Sequence, residues 1–198
     1  MIETKKELDF YLKTDLMMNR GTFKKSLKVR LKDIIVPDYI MEYLKCLRKA
    51  EYYKNCRGGA LKYFYEYKLS KLEIKLGFSI AKNVFGYGLV IPHFGTIVVG
   101  SGNQIGNYAV LHTCICITAG NKQIGNGLYC STGARILGDV SVGDNVTVGA
   151  NAVLNHSVGS NSLVVGIPAL KKRDEEAWYK GEYLRRVEEC EKLRLSYE

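Results

Sequence analysis

The chain has 198 residues, 46% of them hydrophobic, which suffices for one domain with a substantial core and a smaller flanking unit. Its 29 basic and 20 acidic residues give a formal net charge of +9, which favours anionic partners such as a nucleotide-bearing cofactor, an acidic glycan or an anionic membrane surface. No nucleic-acid-binding motif, basic and apolar leader or apolar run of membrane length is present, so we expect a cytoplasmic protein that neither binds nucleic acid nor crosses a membrane.

Residues 1–76 are predicted to form an N-terminal helical subdomain, because they are rich in Lys, Tyr and Leu and poor in Gly. The stretch from Met41 to Arg48 has helix-like spacing, and Val36-Pro37-Asp38 marks a break before it. Aromatic residues also recur at helical spacing, which predicts an aromatic core beneath a basic surface. These aromatic residues are Tyr52, Tyr53, Tyr63, Phe64, Tyr65 and Tyr67.

Residues 77–170 carry a six-residue period, in which an apolar residue returns at every sixth position. The period slips by two residues between Ile91 and Val99, and by one residue at positions 120–123. A period of six fits neither a helix nor an alternating strand, and is typical of a parallel β-helix built from hexapeptides. The repeating positions are Phe85, Ile91, Val99, Ile105, Leu111, Ile117, Ile124, Cys130, Ile136, Val142, Val148 and Leu154.

Each hexapeptide is expected to form one side of a triangular coil, with its apolar residue inside and Gly, Asn or Asp at the corner. Gly106-Asn107 and Gly125-Asn126 are two such corners. Three hexapeptides close one turn, so the repeats predict a mainly β domain of about four coils. A Gly- and Val-rich β-sandwich is the alternative, but it would show a period of two and irregular loops.

Residues 171–198 are predicted to form a C-terminal helical tail, with a helix from Asp174 to Leu195 whose mixed charges face solvent. The six cysteines show no CxxC pair, and Cys130 occupies an inward repeat position. We therefore expect free thiols, a reducing cytoplasm and no metal site.

The candidate catalytic residue is His93, one of three histidines. It lies where the six-residue register slips by two, and a slip can aim a side chain away from the regular surface, as a β-bulge does in a sheet.

The region from 77 to 170 resembles the serine-acetyltransferase branch of the hexapeptide acyltransferases. The resemblance rests on the slipped segment around His93, on Ser131–Gly138, on Val148–Val153 and on Gly166-Ile167-Pro168-Ala169. The run from Leu47 to Tyr53 is also similar to acyltransferases of capsule and exopolysaccharide gene sets. This resemblance implies a left-handed β-helix that assembles as a homotrimer, with active sites between neighbouring stacks.

In that family, the histidine matching His93 is a general base that deprotonates an acceptor hydroxyl as it attacks the thioester of acetyl-CoA. Transfer is direct, without an acyl-enzyme. The resemblance also implies that small residues let the cofactor approach the backbone and that basic residues past the last coil meet its phosphates. The matching positions are Ala119, Gly120, Thr132 and Ala150, followed by Lys171, Lys172 or Arg173.

Two departures from the family pattern concern the acceptor. Pro92 stands where the family has an Asp that pairs with the catalytic histidine, and Asn121, in a shortened loop, stands where it has a second histidine. His112 falls about one coil above position 92 and is a possible accessory residue, as is Asn121. His156 lies at a corner of a different side, and its separation from His112 argues against a shared zinc ion of the gamma carbonic anhydrase type.

From sequence we therefore expect an acetyl-CoA-dependent O-acetyltransferase that acts on a sugar hydroxyl in polysaccharide biosynthesis, with His93 as the base. Serine O-acetylation in cysteine biosynthesis is the first alternative, and a non-catalytic hexapeptide scaffold is the second.

Overall fold

The computed structural model describes residues 1–56 and 58–197. Four helices come first, a stack of short strands follows, and one helix ends the described chain. The helices are α1 (Lys5–Arg20), α2 (Leu27–Ile35), α3 (Tyr39–Asn55), α4 (Gly59–Leu76) and α5 (Glu182–Leu195).

The helix boundaries follow from local capping. Thr4 and Glu7 form a capping box at the start of α1, in which each side chain accepts a hydrogen bond from the other residue's backbone N–H. The Asp38 side chain accepts from the Met41 backbone N–H at 3.2 Å and so caps α3. The predicted break at Val36-Pro37-Asp38 therefore falls between α2 and α3.

The strands wind into a parallel solenoid with three faces, which confirms the left-handed parallel β-helix fold class. Its sheets run in the orders β1-β2-β5-β8-β11, β3-β6-β9 and β13-β12-β10-β7-β4. The strands are β1 (Phe78–Ile80), β2 (Ile97–Val99), β3 (Gln104–Ile105), β4 (Val110–Leu111), β5 (Ile115–Ile117), β6 (Gln123–Ile124), β7 (Tyr129–Cys130), β8 (Arg135–Ile136), β9 (Ser141–Val142), β10 (Val146–Val148), β11 (Val153–Leu154), β12 (Ser162–Gly166) and β13 (Ala169–Asp174).

The stack has about five turns rather than the four expected. The six-residue rule missed both ends, because Ile80 lies five residues before Phe85, and Val158 lies four residues after Leu154. Both nevertheless continue the ladders, since Ile80 pairs with Val99 and Val158 bridges to Val142.

Strand pairing shows both irregularities read from the sequence. Partners across the first slip are 20 residues apart, as in Phe85 with Ile105. Partners across positions 120–123 are 19 apart, as in Ile105 with Ile124, and the regular spacing of 18 then holds for Ile124 with Val142. The repeat residues fill the interior, where Leu111, Ile117, Ile136 and Leu154 are completely buried.

A buried ionic cluster joins the helices to the first coil. The Arg48 guanidinium contacts the carboxylates of Asp15 and Glu51 at 2.8 and 3.1 Å, and donates to the carbonyls of Phe85 and Gly86. All three side chains are essentially inaccessible to solvent. Removing one member of such a cluster leaves a buried charge without a partner and lowers the free energy of unfolding by about 3–5 kcal/mol.

Two expectations for the C-terminal tail were wrong. Residues 169–174 form β13, which pairs antiparallel with β12, so α5 begins only at Glu182 rather than at Asp174. The Glu191 carboxylate on α5 does not simply face solvent, because it accepts hydrogen bonds from the hydroxyls of Tyr87 and Tyr108 at 2.9 and 2.5 Å.

The predicted aromatic core of the helical part was also wrong in part. Tyr63, Phe64 and Tyr67 are more than half exposed on α4, although Tyr53 and Tyr65 do stack, with ring centroids 5.2 Å apart. Within the described residues, no helix is long and apolar enough to cross a membrane.

Candidate functional site

The β1-β2-β5-β8-β11 sheet has a row of corners along each of its two edges, and each row runs through successive coils. The His93 corner comprises residues 91–96, 112–114, 131–134 and 149–152, which precede the strands of that sheet. The Asn121 corner comprises residues 100–103, 118–122, 137–140 and 155–157, which follow them.

The register slip places His93 on the surface. Residues 92–94 are exposed, and Phe94 retains 73% of its accessible area. Gly95 has φ = 137°, and a Cβ there would lie only 3.2 Å from Thr113 Cγ2 on the next coil. The two additional residues thus form an outward loop, with a glycine where it passes close to its neighbour.

His112 lies on the next coil and approaches His93. Val90 bridges to Val110, and this pairing brings the two histidine-bearing segments side by side. The ring centroids of His93 and His112 are 6.3 Å apart, with an angle of 41° between the planes. His112, the possible accessory residue placed about one coil above position 92 from sequence, thus lies beside His93.

Tyr129 holds the His112 ring from the third coil. Its hydroxyl shares a 2.7 Å hydrogen bond with His112 Nε2. Burial lowers the pKa of His112, and the neighbouring His93 lowers it further, while burial raises the pKa of Tyr129. A neutral imidazole and a protonated phenol are thus favoured together, and the bond between them fixes the His112 ring.

Trp178 covers this row of side chains. Its ring centroid is 6.1 Å from that of Tyr129, and its Nε1 donates to the Tyr108 carbonyl at 2.9 Å. The segment between β13 and α5 therefore packs against Tyr129, the residue that holds the His112 ring. Sequence reasoning missed both residues, although the 19-residue spacing from Val110 to Tyr129 could have placed Tyr129 beside His112.

Two of the predicted cofactor positions share the His93 corner. Thr132 and Ala150 are exposed on successive coils, and the Asn151 backbone N–H donates to the Thr132 carbonyl at 2.9 Å. Thr113 lies on the coil between His93 and Thr132, since the Gly133 N–H donates to its carbonyl. Small side chains therefore run along this corner away from His93.

The other predicted positions lie elsewhere. Ala119, Gly120 and Asn121 belong to the Asn121 corner, as does the exposed His156. Asn121 therefore does not stand beside His93 of its own chain, and its backbone N–H is engaged with Asp139 Oδ1 at 2.7 Å. The reason is geometric, because one whole face of the coil separates the two corners.

The basic positions past the last coil lie on β13. Lys171 pairs with Asp174 at 2.6 Å and Arg173 with Glu175 at 2.8 Å, whereas Lys172 is exposed and makes no ion pair with the described residues. β13 extends the sheet that contains β10 and β12, so these cations stand at the far end of the stack.

The three histidines do not form a metal site in this chain. His93 and His112 share one corner and His156 lies at the other, and the described residues contain no group of three or more potential ligands. An exposed imidazole such as that of His93 is a group that can accept or donate a proton in general acid–base catalysis.

Comparisons with known proteins point in one direction. A serine acetyltransferase of Synechococcus elongatus is 32% identical over 90 residues, which is 42% of this chain and 37% of that protein. A serine acetyltransferase of Staphylococcus aureus is 33% identical over 104 residues, covering 49% of this chain and 46% of the relative. The match thus spans less than half of these curated relatives, and no family model matches the chain.

Solved structures extend the likeness in fold. The serine acetyltransferase of Brucella abortus superposes with a TM-score of 0.68 at 22% identity, covering 87% of this chain and 72% of that one. A serine acetyltransferase in complex with CoA superposes with a TM-score of 0.60 at 18% identity, covering 83% of this chain and 68% of that one. The chain therefore has the fold of the left-handed β-helix acyltransferases.

Proposed function

We propose that this protein is an acetyl-CoA-dependent O-acetyltransferase in which His93 is the general base. The observation that carries the proposal is the His93–His112 pair at the slipped corner, with the second ring held by Tyr129. The curated relatives that match the chain are serine acetyltransferases, which supports the same chemistry.

Acetyl-CoA would supply the activated acyl group, and the residues present suit a long anionic molecule. The His93 corner offers exposed small residues on successive coils, and Lys172 stands exposed past the last coil. Four coil spacings of about 4.8 Å separate the first coil from the last, which gives an extended track of about 19 Å.

His93 would accept the proton of the acceptor hydroxyl as its oxygen attacks the thioester carbonyl. Its ring is exposed, so an acceptor can reach it from solvent. His112 would act as a positioning residue, since Tyr129 fixes its ring beside that of His93. Backbone N–H groups at the corners are the candidate donors to the developing oxyanion.

We infer L-serine as the first acceptor to test, because serine acetyltransferases recur among both the sequence relatives and the solved structures. This reverses the preference drawn from sequence, since none of these comparisons supports a polysaccharide acceptor. A sugar hydroxyl stays the second candidate on two observations. Pro92, rather than an acidic residue, precedes His93, and the exposed aromatic ring of Phe94 follows it.

The acceptor is decided by release of free CoA thiol from acetyl-CoA, measured with L-serine and with a panel of sugars and nucleotide sugars. Turnover of L-serine alone supports the serine assignment, and turnover of a sugar alone overturns it. Absence of acetyl-CoA binding in isothermal titration calorimetry would instead favour the non-catalytic scaffold.

We further propose a homotrimer with each site between two chains. The expected cofactor positions divide between the two corners of one chain, so a single bound molecule could meet both sets only if two chains supply them. Sedimentation equilibrium should give about three times the 22.3 kDa chain mass. A monomer that turns over acetyl-CoA would contradict this arrangement. The cytoplasm is our proposed location, since all six cysteines are free thiols.

A further inference from the structure

Helix α2 exposes its apolar face to solvent. Its residues Leu27, Leu31, Ile34 and Ile35 follow the spacing i, i+4, i+7, i+8, which aligns them as one stripe along the helix. Between 57% and 84% of each is exposed, and no residue of α2 is buried. By contrast, the neighbouring α3 buries nine residues.

The polar side of α2 is the side that is tied to the protein. Asp33 pairs with Lys25 at 2.6 Å, and Lys25 also reaches Asp38, which pairs with Arg20 at 2.7 Å. These contacts hold α2 with Leu27, Leu31 and Ile35 exposed to solvent, while Ile34 borders the open cleft between α2 and the helices α1, α3 and α4. An amphipathic helix of a globular domain normally packs its apolar stripe against the core, and α2 does not.

Exposed cations surround the stripe. Lys24, Lys28, Arg30 and Lys32 are all exposed, and none forms an ion pair with the described residues. The acidic groups of the same segment, Asp33 and Asp38, are already paired with basic side chains. The surface of α2 is therefore apolar along its centre and positively charged at its edges.

Charge decides between the two occupants that could cover such a surface. A second copy packed stripe to stripe would bring its own Lys24, Lys28, Arg30 and Lys32 close to these four, which is unfavourable because like charges repel each other. An anionic bilayer offers acyl chains for the stripe and headgroup charges for the lysines and arginine.

We propose that α2 is an interfacial membrane anchor, which lies flat on an anionic lipid surface with its apolar stripe inserted among the acyl chains. The helix has nine residues and is about 13 Å long, so it can lie in the interface but cannot cross the bilayer. The surface so defined is the α2 face, comprising Leu27, Leu31, Ile34, Ile35 and the flanking Lys24, Lys28, Arg30 and Lys32. It does not depend on the proposed catalytic function.

Cosedimentation with vesicles tests this directly. The wild-type chain should bind vesicles of phosphatidylcholine with 30% phosphatidylglycerol, and should bind pure phosphatidylcholine vesicles at least tenfold more weakly. Raising the salt concentration should weaken binding to the anionic vesicles, because the electrostatic attraction is screened. Equal binding to both vesicle types, or no binding to either, would overturn the proposal.

Matched variants separate the charge from the apolar stripe. Changing Lys28, Arg30 and Lys32 to Gln should weaken binding on the order of a hundredfold, since each basic residue near an anionic surface contributes about fivefold. The matched control changes Lys5, Lys6 and Lys54 to Gln. These lysines lie at the ends of α1 and α3 that are farther from α2 along the chain, so this variant should alter binding much less.

For the stripe, the double variant Leu31→Ser with Ile34→Ser should lose binding to anionic vesicles. Ile167→Ser, at a residue that is 74% exposed past the last coil, should keep it. The stripe variant should retain the wild-type melting temperature, because both side chains are exposed. If it instead changes the oligomer mass while vesicle binding stays absent throughout, the stripe is covered by a second copy and the membrane proposal fails.

Discussion

The two corners of the coil stack differ in whether their polar groups form hydrogen bonds within the coils or are exposed at the surface. At the Asn121 corner, Lys122 is buried and donates to the Thr118 carbonyl and hydroxyl at 2.8 and 3.1 Å, and the Asn121 backbone binds Asp139. At the His93 corner, the two additional residues leave His93 exposed beside His112.

The difference shows what a register slip can do in a repeat protein. The one-residue slip at the Asn121 corner is accommodated within the coils, because the buried Lys122 side chain and the Asn121 backbone N–H both find hydrogen-bond partners there. The two-residue slip at the His93 corner instead forms an outward loop, beside which the histidines of two successive coils meet. We therefore expect substitutions of His93 and His112 to act on catalysis, and substitutions of the residues that close the coil at the Asn121 corner to act mainly on folding.

The largest expected effect is on catalysis. His93→Ala should lower the acetyl-transfer rate on the order of 10²–10⁴-fold, as for loss of a general base. His156→Ala is the matched control, because it removes an exposed histidine for which no contact with the cofactor or the acceptor is proposed. It should change the rate less than about twofold, and equal losses in the two variants would erase the contrast between the corners.

The next effect is on stability. Gly102, at the Asn121 corner, has φ = 84°, and a Cβ there would lie 2.3 Å from the Gly120 carbonyl oxygen. Gly102→Ala should therefore lower the free energy of unfolding by about 3 kcal/mol. Gly95→Ala, at the His93 corner, should cost about 1–2 kcal/mol, because it meets only a side-chain methyl group.

Urea denaturation of the two glycine variants measures this difference. A larger loss for Gly95→Ala than for Gly102→Ala would show that the Asn121 corner is not the more tightly constrained of the two.

A smaller effect is expected from the tyrosine that positions His112. Tyr129→Phe removes the hydroxyl that shares a hydrogen bond with His112 Nε2. It should lower kcat about fivefold, which corresponds to the roughly 1 kcal/mol that one hydrogen bond contributes. KM for acetyl-CoA should stay unchanged. Tyr183→Phe removes a hydroxyl without a hydrogen-bond partner among the described residues, and should leave kcat as it is. A rise in KM with kcat preserved would assign Tyr129 to cofactor binding instead.

The smallest effect is a change in titration. Burial and the neighbouring His93 hold the pKa of His112 below its usual value, so its NMR midpoint should lie below that of a free histidine. Below that usual value the unfolded chain takes up a proton that the folded chain does not, so His112 makes stability fall as the solution is acidified. In His93→Ala the pKa of His112 should rise, and an unchanged midpoint would mean that the two rings do not interact.

The solenoid could be predicted from sequence because every hexapeptide repeats one local rule. The rule failed at both ends, where Ile80 and Val158 belong to shortened sides. Within the stack, the same rule correctly located the slip at His93 and placed His112 about one coil away, because both follow from counting residues along the coils.

The remainder depends on contacts between distant parts of the chain. Trp178 reaches Tyr129 from a segment without any period, and Arg48 binds carbonyls 37 and 38 residues away in the first coil. The exposure of the apolar stripe of α2 could not be predicted from sequence either. Its pattern is that of an ordinary amphipathic helix, and only the ion pairs around it show which side contacts the protein.

The central claim is that acyl transfer takes place at the His93 corner. A crystal structure with CoA and the acceptor bound tests it most directly. We predict a nitrogen of the His93 ring within about 2.6–3.2 Å of the acceptor hydroxyl, with the CoA sulfur beside it. An acceptor hydroxyl bound away from His93, or a His93 ring that points away from a correctly bound CoA, would contradict the account.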